Sequence, residues 1–252
     1  MRQASERGWT LGLAVAALTL MNHGARADAG PPRETTRTLR YELRALGAAA
    51  GEATLRVGPP EDFASARLRA VCLEARTDGL AAAFLSAESV ATTWVNPQWL
   101  PVRGRWDQTV DGEPRVYRIK YGPEGVLGEE DRNGKPFARH DHRASRHPLD
   151  LVSLLAWVAA QPLEAGTRLR VPVFDGRRLF DVTLDAGAET ELILPIGQRR
   201  ARSMRVDIRR GGFRRQAELW VSTGRDPVPL RMVFRYGGLG TVEARLAAER
   251  HE

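Results

Sequence analysis

The sequence predicts a mainly β protein: one large curved antiparallel sheet, a half-barrel or open barrel-like meander of about 11–13 strands, with one buried helix near 148–161 and a short helix near 79–87. Three observations carry that prediction. Apolar residues alternate with charged ones at a period of two, turn-forming dipeptides separate the alternating runs, and one segment is apolar around most of a helical circumference.

The alternation starts near Thr38. In TLRYELRAL, the side chains of Leu39, Tyr41 and Leu43 share one face and those of Arg40, Glu42 and Arg44 share the other, as in a half-buried strand. Ala53, Leu55 and Val57 repeat the pattern in GEATLRV. Further on, Asp111-Gly112, Asn133-Gly134, Asp175-Gly176 and Gly211-Gly212 each divide two such runs, and these dipeptides suit tight hairpins because they tolerate positive φ. The flanking runs keep an apolar stripe, such as Tyr117, Ile119 and Tyr121, or Phe180, Val182 and Leu184, or Met204, Val206 and Ile208. One face is therefore dry and the other rich in arginine. An open sheet of this size must curl or fold over.

Two segments interrupt the alternation. GLAAAFLSAE, from Gly79, is alanine-rich and reads as a short helix. HPLDLVSLLAWVAAQ is the stronger signal: Pro148 suits the first helical position, where its missing N–H is not needed, and Asp150 in the first turn faces the positive end of the dipole. Gln161-Pro162 supplies the stop. Leu151, Leu154, Leu155 and Val158 make a core stripe, while Leu149, Val152 and Trp157 cover much of the remaining circumference. A helix apolar on most sides is buried on most sides, so the concave face of the sheet is its expected seat.

Residues 1–27 read as a secretory signal peptide, with Arg2 and Arg7 before the short apolar run WTLGLAVAALTLM and a small-residue cleavage site near Ala27-Asp28. Residues 28–37 read as a flexible leader and 38–247 as a single β-rich domain, exported to the periplasm or envelope. No later segment is long and uncharged enough to span a bilayer, so the mature chain is expected to be soluble, without a transmembrane segment. The single cysteine, Cys72, sits deep in the mature region, which excludes a lipoprotein anchor and an internal disulfide. Losing the signal lowers the formal charge of +7 to about +5, and the remaining arginines are dispersed along strand faces without a dense block. Nucleic acid is not an expected partner.

The string PLDLVSLL before Trp157, the opening YELRALGAAAGEATLRV, the segment TDGLAAAF, the WLP of Trp99 to Pro101 and the late AELWVSTGRDPVPLRMVFRYGGLGTVEARL occur in one order along roughly residues 38–247. In that order they resemble the exported bacterial family catalogued as domain of unknown function 3108 (DUF3108). The resemblance implies an envelope protein whose fold is similar to the half-barrel of lipoprotein carriers and of sigma-factor-regulating envelope sensors. It implies no activity.

Candidate chemistry is sparse. His140, His142 and His147 precede the helix, and two histidines two apart share a strand face, so a three-nitrogen metal site is one reading and an exposed polar approach to the helix the other. The spacing matches no established zinc signature, and Arg139, Arg143 and Arg146 would oppose a cation. Ser145, Ser153, His147 and Asp150 lie together, but the chain lacks a Gly-x-Ser-x-Gly elbow; a phosphate loop and a dinucleotide fingerprint are also missing, so no catalytic residue and no cofactor is assigned. Aromatic residues offer an apolar lining instead: Trp94, Trp99, Trp106, Tyr117 and Tyr121, together with Leu151, Leu155 and Trp157 of the helix, are the candidate ligand-binding residues.

Three functions follow from these features. The first is a non-enzymatic envelope protein that binds a hydrophobic or lipid-like ligand in the concave sheet face. The second is a metal-assisted envelope hydrolase that uses the three histidines. The third is a structural envelope protein that binds a protein partner and no small ligand.

Overall fold

The computed structural model describes residues 35–63, 66–78, 87–236 and 240–252. Within them the chain forms β1 (Arg37–Ala45), β2 (Ala48–Phe63), β3 (Ala66–Thr77), β4 (Ala87–Val95), β5 (Pro101–Val110), β6 (Glu113–Gly122), β7 (Gly125–Arg132) and β8 (Lys135–Arg143). After β9 (Leu149–Asp150) and the helix α1 (Leu151–Ala159) come β10 (Arg168–Phe174), β11 (Leu179–Leu194), β12 (Gly197–Arg210), β13 (Phe213–Ser222), β14 (Pro229–Tyr236) and β15 (Gly240–His251).

All 15 strands belong to one sheet, ordered β8-β7-β6-β5-β4-β3-β2-β1-β15-β14-β13-β12-β11-β10-β9. The first and last long strands pair at its centre, from Arg37 opposite His251 to Ala45 opposite Val242. Two meanders thus grow outward from one seam, and the chain passes between their far edges through β9 and α1. Every pairing is antiparallel except the short one between β9 and β10.

The mainly β class and the curled antiparallel meander are as expected, with two strands beyond the expected 11–13. Those missed are β4 and β9. The inward positions of β4 are Ala87, Ser89, Ala91, Thr93 and Val95, too small and polar to draw an apolar stripe. β9 has two residues, which is too short for any periodicity. The helix expected near 79–87 falls on residues 79–86, outside the described residues, and Ala87 already belongs to β4. The predicted signal peptide also lies outside them. β1 starts at Arg37 and β15 runs to His251, slightly beyond the predicted domain limits.

Hairpin chemistry is as read at two turns. Asp111 and Gly112 have φ of 51° and 80°, and Asn133 and Gly134 have 49° and 73°, the paired positive values of a type I′ turn. The outer face carries the arginines, and cross-strand carboxylates meet many of them. Arg56 pairs with Glu74, Arg231 with Glu243 and Arg235 with Glu218. Pairs on a solvated sheet face each contribute about 1 kcal/mol or less, and they leave the core to the inner face.

The hydrogen-bonded ladder does not close into a barrel, yet its two halves touch. The turn between β10 and β11 reaches across to β5–β8, and side chains bridge the gap. Arg177 Nε and Nη2 donate to Glu130 of β7 at 2.9 and 2.5 Å, and His142 Nε2 of β8 lies 2.8 Å from the Arg177 carbonyl oxygen. Phe174 packs beside His142, with ring centroids 5.7 Å apart. Gly128 makes this approach available: a Cβ there would lie 2.8 Å from Phe174 Cζ and 2.9 Å from the Gly176 carbonyl oxygen. Gly128→Ala should therefore push the turn off β7 and destabilise the fold by about 1–3 kcal/mol, measurable by urea denaturation.

Candidate functional site

The helix is set by Asp150. The expected span of 148–161 contracts to Leu151–Ala159, and Pro148 lies before the helix instead of opening it. Asp150 is the N-cap, with extended backbone, and it forms a reciprocal capping box with Ser153. Its Oδ1 accepts the Ser153 N–H at 2.6 Å, while the Asp150 N–H donates to Ser153 Oγ at 2.9 Å. That exchange fixes where helical geometry begins. Upstream, Leu149 and Asp150 instead pair with Val173 and Phe174.

The other carboxylate oxygen ties the helix to the first meander. Asp150 Oδ2 accepts from Thr93 Oγ1 of β4 at 2.7 Å and from Tyr121 Oη of β6 at 2.8 Å. Asp150, Thr93 and Ser153 are wholly or almost wholly buried, and every carboxylate oxygen has a partner. Burial pushes the Asp150 carboxyl above the usual range, although these hydrogen bonds pull it back, and burial pushes the Tyr121 phenol well up. The network anchors the helix; it does not face an open space.

Behind the anchored face lies an apolar cavity of about 60 Å³. Leu151, Leu154 and Leu155 of α1 form one wall. The opposite wall comes from β10–β14, with Phe174, Phe180, Val182, Leu184, Val206, Ile208, Ala217, Leu219, Met232 and Phe234. One carboxyl, Asp175, borders it, with its Oδ1 taken by the N–H groups of Arg177 and Arg178 and its pKa raised by burial. A cavity of this size has room for about four to six water-sized groups, such as the end of an aliphatic chain, and is smaller than the roughly 300–1,000 Å³ of drug-sized pockets.

The candidate ligand residues fall into separate places. Leu151 and Leu155 line the cavity. Tyr121 is buried on the inner face and bonds Asp150, while Trp106 and Tyr117 are buried where the β10–β11 turn arrives, each within 3.3 Å of a Cβ built on Gly176. Trp94 lies on the outer face, where Arg103 sits 4.4 Å from its ring. Trp99 occupies the β4–β5 connection at φ 62°, with Arg69 5.0 Å from its ring, and Trp157 is half-buried on the helix. Most of the cavity wall comes from β11–β14, whose stripes the sequence marks only as the dry face of the sheet, outside the candidate ligand residues. Phe180 and Phe234 in those stripes were the available signal.

The three histidines do not converge. His140 Nε2 lies 3.3 Å from Glu130 Oε2, and His142 meets the Arg177 carbonyl. His147 Nε2 is 2.7 Å from the Pro101 carbonyl oxygen. Among the described residues no group of three His, Cys, Asp or Glu side chains is placed to hold a metal ion. Cys72 points away from the core, and burial raises its thiol pKa. No helix among the described residues is long and apolar enough to cross a membrane.

Comparison with solved structures places the fold beside a β-barrel-like protein of domain of unknown function DUF1849 from Brucella abortus. The two share a TM-score of 0.59 at 12% identity, over 87% of this chain and 99% of that one. Weaker likenesses are to a protein from Bacteroides fragilis described as exported, with a YmcC-like fold (TM-score 0.35, 8% identity, 91% and 99% covered), and to one from Parabacteroides distasonis described as a lipoprotein (TM-score 0.36, 10% identity, 87% and 97% covered). No curated protein matches the chain. The family model described as protein of unknown function (DUF3108) matches residues 39–245, and the chain belongs to that family.

Proposed function

We propose that this is a non-enzymatic protein of the bacterial envelope that holds a hydrophobic, lipid-like ligand between α1 and the concave face of the sheet. The observation that carries this reading is the apolar cavity between Leu151, Leu154 and Leu155 and the wall of β10–β14. Unfilled volume forgoes dispersion contacts, a cost that an apolar occupant of this space would offset. Export through the predicted signal peptide, with cleavage near Ala27-Asp28, fits the same reading, since lipid-like ligands abound in the envelope. The hydrolase alternative lacks a convergent set of side chains: each of its three histidines is engaged with a different partner.

A fluorescent apolar probe titrated into the purified mature protein, with native mass spectrometry of the same sample, tests the proposal. Saturable probe uptake or a co-purified hydrophobe is expected. Leu154→Trp, which places an indole in the cavity, should reduce uptake at least tenfold while the circular dichroism spectrum is retained. Absence of uptake by the folded wild type would refute ligand binding.

A further inference from the structure

One part of the cavity lining is held in place differently from the rest. The strands of the wall are joined by continuous ladders, from β10 with β11 through to β13 with β14. The β10–β11 turn and its base line the cavity through Phe174 and Asp175, and they stand against the first meander across the gap at β8. Among the described residues no backbone hydrogen bond crosses that gap. The contacts that do cross it run through side chains.

Phe174 is where the two sides meet. Its backbone pairs with Asp150 on β9 and Leu179 on β11, and it lines the cavity. The far edge of its ring comes so close to β7 that a Cβ on Gly128 would lie 2.8 Å from Cζ and 3.0 Å from Cε1. His142, half-buried on the edge strand β8, packs beside the same ring with centroids 5.7 Å apart. From the cavity outward the order is therefore Phe174, His142 and solvent.

The turn next to this ring is stiff in itself. Asp175 Oδ1 accepts from the N–H groups of Arg177 and Arg178 at 2.9 and 2.7 Å, and the Asp175 N–H donates to the Arg178 carbonyl oxygen at 3.0 Å. A turn closed this way moves as one piece. A small polar set holds it against the first meander: the Arg177 guanidinium donates twice to Glu130, and His142 Nε2 lies 2.8 Å from the Arg177 carbonyl oxygen. A carbonyl only accepts, so His142 Nε2 is the donor.

We infer that this gap is the ligand's way into the cavity: Phe174 is the gate, and the hydrogen bonds of Glu130 and His142 to Arg177 are the latch that holds it shut. Lifting the turn breaks these bonds and leaves every strand ladder intact, whereas passage through the wall of β10–β14 would break a ladder. The latch is made in the closed protein whether the cavity is filled or empty. Weakening it therefore speeds entry and exit together and leaves the equilibrium affinity unchanged. The inference rests on the reading of the cavity as a hydrophobe site.

Stopped-flow mixing of the mature protein with cis-parinaric acid, a slender polyene whose fluorescence rises in apolar surroundings, tests it. Glu130→Gln and Arg177→Met, which weaken the latch from opposite sides, should each raise the association and dissociation rates about tenfold, since each loses charge-assisted hydrogen bonds, with the dissociation constant held within about twofold. Arg231→Met breaks the outer-face pair with Glu243 on β14 and should leave both rates as in the wild type. Unchanged rates in both latch variants, a change confined to dissociation, or equal acceleration in Arg231→Met would overturn the gate while leaving the hydrophobe site in place. No binding of the probe to the wild type would overturn both readings.

Discussion

Asp150→Ala should lower the unfolding free energy by about 3–7 kcal/mol. The N-cap alone contributes about 1 kcal/mol. The remainder comes from Tyr121 Oη and Thr93 Oγ1, which would lose the acceptor they share in the interior and be left buried at about 1–3 kcal/mol each. Urea denaturation would show the drop in midpoint. Tyr121→Phe, which removes one donor and leaves the carboxylate its other partners, should cost only about 1 kcal/mol. Near-equal losses from the two variants would mean that the carboxylate is not the hub.

The same residue gives a pH signature. Burial raises the Asp150 carboxyl, so the folded state holds its proton to higher pH than the unfolded chain does. Its contribution is then fully present below the ordinary carboxylate value of 3.8 and is lost as pH rises through the folded value. Asp150→Asn keeps the shape and removes the titration. The stability of wild type relative to this variant should accordingly fall as pH rises from about 4 toward neutrality, as checked by denaturation at several pH values.

What the sequence reveals about this fold divides along physical lines. Strands with one apolar and one charged face are visible because a period of two survives in the residue types, as in Leu39, Tyr41 and Leu43, which are all buried. β4 was lost because a residue can be buried without being large: Ser89 and Thr93 occupy inward positions, and Thr93 bonds the helix cap Asp150. The helix was visible from its leucines, but its start was misplaced. A proline before an apolar run is compatible with helix, whereas the Asp150–Ser153 exchange that decides the matter is equally compatible with Pro148 inside or outside. The His-rich approach was legible as polar, and its partners were not, because they are carbonyls and a carboxylate on β5, β7 and the β10–β11 turn. The cavity wall was hidden for a related reason: a core stripe and a binding stripe have the same composition until the opposite wall is known to stand back.

Glu130→Ala should loosen the contact between the two far edges of the sheet and cost about 3 kcal/mol. Glu130 is almost fully buried on the inner face of β7, where it takes two hydrogen bonds from Arg177 across the gap and one at 2.8 Å from Arg132. Removing the carboxylate leaves two guanidinium groups facing each other without a counter-charge. Loss of one member of a buried pair typically costs about 3–5 kcal/mol, and the partial solvation of both arginines, 21% and 29% exposed, sets the effect at the lower end of that range. Burial pushes the Glu130 carboxyl up, but Arg177 and Arg132 more than offset it and hold the group below the usual range. The pH dependence is therefore opposite to that of Asp150: the contribution is present above the ordinary value of 4.5 and is lost as pH falls through the folded value. Stability of wild type relative to Glu130→Gln should thus decline below about pH 4.5. Hydrogen exchange distinguishes this contact from the helix anchor. Glu130→Ala should speed exchange in β8 and the β10–β11 turn while α1 stays protected, because Asp150, Thr93 and Tyr121 hold the helix without help from Glu130. Uniform acceleration through α1 would show that the edge contact and the helix anchor form one cooperative unit, and the cavity they enclose would then open only with the whole fold.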